Sequence, residues 1–270
     1  MPATSEGAAV AAAYSVTGGA WQAGPGRIYD RLAEVLVATC PDGVRGRAAL
    51  DLGAGTGAAS RALLAAGARS VVAVDAACGM LTFDAAARPP AVAGDARRLP
   101  FADASFDVVV AAFSLNHLDD PAVGLREAGR VLRAGGIVLA SAYADDDGHP
   151  VKQAVEWACA ARGWVRPPWA TWLVDEATPC LGTIDHATKA VTAAGLQPLA
   201  VEALQVAFPE LDAEALVEWR LGMAAVAPFV ATLTPVGRAA LVADAIARLG
   251  PDAGPLTRSV IQLSGGRSAR

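Results

Sequence analysis

Residues 47–57 read R-A-A-L-D-L-G-A-G-T-G. An apolar run (Ala48, Ala49, Leu50, Leu52) breaks into three alternating glycines, and a helix-forming run, 58–66, follows at once. This pattern predicts a buried strand, a tight turn and the start of a helix. Glycine suits such a turn because it needs unusual φ/ψ and because a ligand there touches bare backbone. The helix start adds unpaired N–H groups and a partial positive charge, which attract an anionic group. A chain built on this stretch is an open α/β sheet with a nucleotide or cofactor loop.

The pattern downstream agrees. Strands are expected at 70–75, 91–94 and 106–113, then at 137–143 after the turn R-A-G-G. Helices are expected near 78–87 and 121–132. Strand 106–113 (F-D-V-V-V-A-A-F) is apolar but for Asp107, so it should be central and covered on both faces. After residue 144 the alternation stops. Asp145–Asp147 and Gly148 read as a solvated turn and are followed by a tryptophan-rich stretch. A helix at 183–194, a strand at 199–208, a helical insertion at 212–249 and a last strand at 256–263 complete the chain. Ahead of the glycine loop, 1–13 read as disordered or weakly helical, 14–21 as a Gly-rich loop, and 28–38 as an amphipathic helix. The expected fold is α/β: a doubly wound, mostly parallel seven-stranded Rossmann-like sheet with an N-terminal helical cap and helical lid insertions. Its expected division is cap 1–46, cofactor core 47–144, aromatic-rich lid 145–182 and C-terminal sheet with substrate-pocket insertion 183–270.

Net charge −5 and a pI near 5.2 argue against a nucleic-acid partner, which calls for a basic face. No apolar run approaches the roughly 20 residues of a membrane span, and the start lacks a basic leader, so a cytoplasmic protein is expected. Cys40, Cys78, Cys159 and Cys180 form no C-x-x-C pair and are expected as reduced, buried thiols. No His/Cys/Asp spacing suggests a metal.

Gly53, Gly55 and Ala58 also satisfy G-x-G-x-x-G/A, the dinucleotide fingerprint, so the loop alone is ambiguous. Three acids narrow the choice. Asp51, two residues before the first glycine, would repel a pyrophosphate and attract an ammonium. Asp75 ends the second strand, where an acid can bind ribose hydroxyls. Asp95 follows the third strand, in G-D-A-R-R-L-P-F. Singly, each acid also suits a cap or a turn. Together they occupy successive strand ends, where open α/β sheets bind ligands.

The set D-L-G-A-G-T-G, V-D, G-D-A-x-x-L-P-F, F-D-V-V-V and L-R-A-G-G resembles the class I S-adenosylmethionine-dependent methyltransferases, in particular the small-molecule, ubiquinone/menaquinone-methyltransferase-like group. The resemblance covers 47–143. It implies S-adenosylmethionine as cofactor, S-adenosylhomocysteine as product, and roles for particular residues. Gly53 and Gly55 would let backbone approach the methionine part, with Asp51 near its ammonium. Asp75 would take the ribose hydroxyls, and Asp95 and Ala96 would meet adenine. Ala76 stands where larger residues often pack on adenine, and Ser114 would lie beside the sulfonium end.

Methyl transfer requires a nucleophile held close, aligned and dry, with a base only where a proton must leave. His117, in F-S-L-N-H-L, is the candidate base, weighed against a lining role. Tyr14 is a second candidate, since the segment before the core folds over the cofactor in this family. His149 and His186 read as surface or packing residues. Asn116, Trp169, Trp172 and Trp219 are candidate substrate-lining residues, pointing to a largely apolar pocket for a small molecule of the specialised-metabolite kind. Arg162, Arg166 and Arg220 keep a phosphate-bearing substrate open. Two other functions fit the same chain. One is a protein that uses the cofactor as a scaffold for cyclisation or regulation; the other is an NAD-dependent oxidoreductase.

Overall fold

A computed structural model describes residues 5–268. Three helices come first: α1 (Ser5–Ser15), α2 (Gly18–Ala23) and α3 (Gly26–Ala38). The core follows as β1 (Ala48–Leu52), α4 (Ala58–Ala65), β2 (Ser70–Asp75), α5 (Cys78–Thr82), β3 (Ala91–Ala93), β4 (Phe106–Ala112), α6 (Pro121–Val131) and β5 (Leu132–Tyr143). Beyond it lie α7 (Val151–Ala160), α8 (Pro168–Trp172), α9 (Ile184–Ala193), β6 (Gln197–Phe208), α10 (Ala213–Leu221), α11 (Ala227–Val230), α12 (Pro235–Leu249) and β7 (Leu256–Gly266).

The strands form one sheet in the order β3-β2-β1-β4-β5-β7-β6. β1 to β5 pair in parallel, and β7 runs antiparallel between β5 and β6. β1 and β4 sit centrally and bury both faces, as strands that are apolar but for one carboxylate each can. On one face Val109, Leu125 and Val138 pack together. On the other, Ala49, Val108 and Leu139 meet Leu36 of α3 and Leu63 of α4. The order reverses between β1 and β4, so both strands open their carboxyl ends into one crevice.

Four local expectations change. The 14–21 stretch is not a loop: α1 runs to Ser15 and α2 starts at Gly18. Tertiary contact decides this, because a Cβ on Gly79 of α5 would lie 1.7 Å from the Ser15 carbonyl oxygen, so α1 docks directly on glycine backbone. Residues 1–4 of the segment expected to be disordered or weakly helical lie outside the described residues. R-A-G-G is not a turn before a strand but a register break inside β5, between the pairs Phe106–Leu132 and Val108–Ile137, with Gly135 at φ +75. The helix expected over 78–87 stops at Thr82. The Asp145–Asp147 turn is not wholly solvated: the Asp147 side chain is 8% exposed and ion-paired with Arg258. Of the cysteines, Cys40 and Cys159 are buried, Cys180 is half-buried and Cys78 is exposed. No helix among the described residues is long and apolar enough to cross a membrane.

Candidate functional site

A cavity of about 680 Å³ opens at the carboxyl ends of β1, β2 and β4 and is roofed by α1. One end is the glycine loop. Gly53 and Gly55 hold φ of +73 and +51, the left-handed region that side chains avoid. At Gly53 a Cβ would also sit 2.2 Å from that of Ser114, whose hydroxyl donates to the Leu52 carbonyl at 2.7 Å. Glycine is therefore demanded there by the fold as well as by any ligand. Phe113, at the end of β4, has φ +53, a strained value for an aromatic residue. This kink swings Ser114 and the short turn Leu115–His117 over the strand ends.

Asp51 is 1% exposed and lines the cavity. Its Oδ2 accepts from Ser60 Oγ at 2.6 Å, and among the described residues it forms no ion pair. Burial pushes its carboxyl up from 3.8 to about 6. Arg88 acts on it only at a distance, and a desolvated carboxylate without a direct ion pair is the group an ammonium ligand would complete. Asp75 is held by two backbone donors, Gly55 N–H to Oδ2 and Ala77 N–H to Oδ1, each at 2.7 Å. Each oxygen keeps a lone pair free for a ribose hydroxyl. Arg88, which the sequence reading missed, ties the loop to α5 by donating to the Gly55 and Met80 carbonyls at 3.2 and 3.1 Å.

Asp95 differs. Arg97 clamps both its oxygens through Nε and Nη2, the latter at 2.7 Å, and donates its backbone N–H as well. That guanidinium holds the Asp95 carboxyl below its ordinary value. A donor arriving at Asp95 would therefore meet a carboxylate already engaged by Arg97. Ala76 and Ala96 stand in the same wall.

Tyr14 and His117, 103 residues apart in sequence, meet across the cavity: the Tyr14 hydroxyl lies 3.1 Å from His117 Nε2, with the rings edge to face. His117 Nδ1 lies 3.2 Å from the Ser114 carbonyl oxygen, which can only accept. The ring therefore carries its hydrogen on Nδ1, and Nε2 accepts from Tyr14. Burial lowers His117 from 6.5 to about 4, so it is neutral at pH 7. Beside this pair, Asn116 is buried and its Oδ1 has no partner.

From Tyr14 a ladder of rings crosses the cavity. Tyr14–Trp21, Trp21–Tyr29, Tyr29–Phe113 and Phe113–Tyr143 have centroids 5.4, 4.7, 5.5 and 4.5 Å apart. Trp169 and Trp219 also line it, whereas Trp172 stands outside the walls. The far end is not apolar. His149, expected at the surface or in packing, is part of that wall, and so are Asp147, expected in a solvated turn, and Lys152 and Arg258, which carried no sequence signal. Arg166 and Arg220 join them, while Arg162 turns away to Asp244.

A glycine loop at the switch point of a doubly wound sheet, with acids at successive strand ends, is the layout of a Rossmann-like fold, whose crevice at the strand ends is where such sheets bind ligands. Residues 50–140 match the family model described as a methyltransferase domain. The demethylmenaquinone methyltransferase of Mycolicibacterium vanbaalenii is 43% identical over 128 residues, 47% of this chain and 54% of the relative. The chain thus spans about half the length of the curated relatives it matches. Among solved structures, an S-adenosylmethionine-dependent methyltransferase from Mesorhizobium loti superimposes with TM-score 0.51 at 21% identity, covering 88% of this chain and 100% of that one. The [4+2]-cyclase SpnF superimposes with TM-score 0.55 at 19% identity, covering 90% and 81%. These structures share the fold.

Proposed function

We propose that the protein transfers the methyl group of S-adenosylmethionine to a small, ring-bearing organic molecule held beneath α1. The carrying observation is Asp51, a buried carboxylate with no ion-pair partner among the described residues, at one end of a cavity that holds Tyr14 and His117 farther along. Bound S-adenosylmethionine supplies an electrophilic methyl on a sulfonium and a neutral thioether leaving group. Asp51 would hold the methionine ammonium, the Gly53 and Gly55 backbone its neighbouring atoms, and Asp75 the ribose hydroxyls. Ala76 and Ala96 would flank adenine, with Asp95 reaching its amino group once Arg97 swings aside. Ser114, fixed by the Leu52 carbonyl, would border the sulfonium.

The roof helix α1 and the ring ladder exclude water and stack a flat acceptor in line. The names of the curated relatives support a quinone-like ring as that acceptor. Protonating His117 at pH 7 against a value of about 4 costs roughly 4 kcal/mol. This cost favours His117 as the acceptor that orients the Tyr14 hydroxyl, leaving that oxygen a lone pair that a bound molecule could meet, over His117 as a free base. The buried Asn116 Oδ1 would accept from a hydroxyl or amine of the acceptor.

Isothermal titration with S-adenosylmethionine, S-adenosylhomocysteine and NAD tests the reading. Micromolar binding of the first two with NAD silent is expected. NAD binding alone, or none of the three, overturns it.

A further inference from the structure

We propose that the cavity end remote from the glycine loop is an oxyanion subsite, centred on Arg220 and Lys152, so that the methyl acceptor carries a carboxylate or phosphate group. This rests on the methyltransferase reading of the same cavity and deepens it.

Four cations from separate parts of the chain converge there: Lys152 on α7, Arg166 ahead of α8, Arg220 on α10 and Arg258 on β7. Two carboxylates answer them. Glu156 lies 2.5 Å from Arg166, and Asp147 pairs with Arg258 while accepting the Ser259 N–H at 2.9 Å. Arg220 and Lys152 form no ion pair among the described residues, so two positive charges stand in excess in a low-dielectric pocket. Burial, and then the neighbouring Arg258, lowers the Arg220 guanidinium; burial, and then Arg220, lowers the Lys152 ammonium. Fold packing alone gives no reason to assemble such mutual repulsion.

Hydrogen bonding points the same way. Arg220 Nε, Arg258 Nε and Trp219 Nε1 are all buried without a partner. Each is a donor, and none can satisfy another. Buried donors are costly to leave unpaired, and a ligand that only accepts would complete them together. Arg220 and Arg258 both stack on Trp219, at 5.2 and 4.8 Å, and Arg258 lies 3.9 Å over Tyr143, the last ring of the ladder. The ladder therefore leads from the Tyr14–His117 pair to the cations, which fits a molecule with a ring body and one anionic end. All four cations lie outside residues 50–140, the segment that matches the family model. The subsite thus belongs to the part of the chain that selects the acceptor.

The test uses the full chain saturated with S-adenosylhomocysteine. Tryptophan fluorescence follows titration with 4-hydroxybenzoate, 4-hydroxyphenyl phosphate and the neutral 4-hydroxybenzamide, in wild type, Arg220→Met, Arg220→Lys and Lys152→Met. At least one anion should bind more than about 10-fold tighter than the amide. Arg220→Met and Lys152→Met should each erase about 10- to 100-fold of that affinity, and Arg220→Lys should keep part of it. Which anion wins tells carboxylate from phosphate. Equal binding of amide and anions, anion affinity unchanged in Arg220→Met, or no saturable anion binding in the millimolar range each overturns the subsite. S-adenosylhomocysteine affinity should be the same in every variant; loss of it in wild type would sink the methyltransferase reading instead.

Discussion

Replacing Asp51 with asparagine should make the unliganded protein more stable and its cofactor site worse. Asp51 is buried, keeps one hydroxyl donor and titrates at about 6 in place of 3.8. Because the folded protein holds this proton more tightly than the unfolded chain, stability falls as pH rises from about 4 through about 6. The loss is complete above that window. A rise of this size corresponds to roughly 3 kcal/mol at pH 7, an upper bound on what Asp51→Asn returns, since asparagine can still accept from Ser60 but brings an amide needing a partner. At about 2–4 °C per kcal/mol, the variant should melt several degrees above wild type at pH 7.5 and match it at pH 4. Its affinity for S-adenosylmethionine should fall about 10- to 100-fold through loss of a charged acceptor. In wild type that affinity should itself drop toward tenfold per pH unit below about 6, because binding the ammonium requires the ionised carboxylate. Calorimetric melting from pH 4 to 8 with parallel titrations measures all three. A variant less stable than wild type at pH 7.5, with the pH dependence of melting retained, would refute the argument that Asp51 is a desolvated charge awaiting a cation.

Tyr14→Phe and His117→Ala should each lower turnover with little change in cofactor affinity, and the double variant should lose no more than the worse single one, since the two share one hydrogen bond. Turnover that falls additively would separate their roles. Gly53→Ala should fail to fold or bind, because its Cβ meets Ser114 at a left-handed backbone position; Gly43→Ala, also at positive φ but in open space, should melt only slightly lower than wild type. Arg97→Ala, which frees both oxygens of Asp95, should tighten S-adenosylhomocysteine binding several-fold where adenine must displace that guanidinium; weaker binding by titration would show that Arg97 itself holds the ligand.

Sequence by itself determined the sheet and the glycine-loop end of the cavity. Strand-turn-helix at 47–66 and the acids Asp51, Asp75 and Asp95 are short-range patterns: each depends on the period of a strand or on the turn that ends it, and a parallel sheet then brings adjacent strand ends together. The apolar run of β4 likewise announced a central strand. The engagement of Asp95 by Arg97 was not legible, because a side-chain rotamer two residues away decides it. Nor was the helical state of 14–21, which depends on the bare backbone of Gly79 more than sixty residues on. The charged end of the cavity was the least legible. Asp147, Lys152, Arg166, Arg220 and Arg258 are scattered among a turn, two helices, a loop and an antiparallel strand; Arg166 and Arg220 left a phosphate-bearing substrate open, but singly the others read as solvated surface charges. Only the packing of β7 between β5 and β6, with α7 and α10 folded over it, removes water from these charges and sets them facing one another. Local pattern specifies backbone, but the charge and shape of a pocket depend on which distant side chains share the same desolvated space.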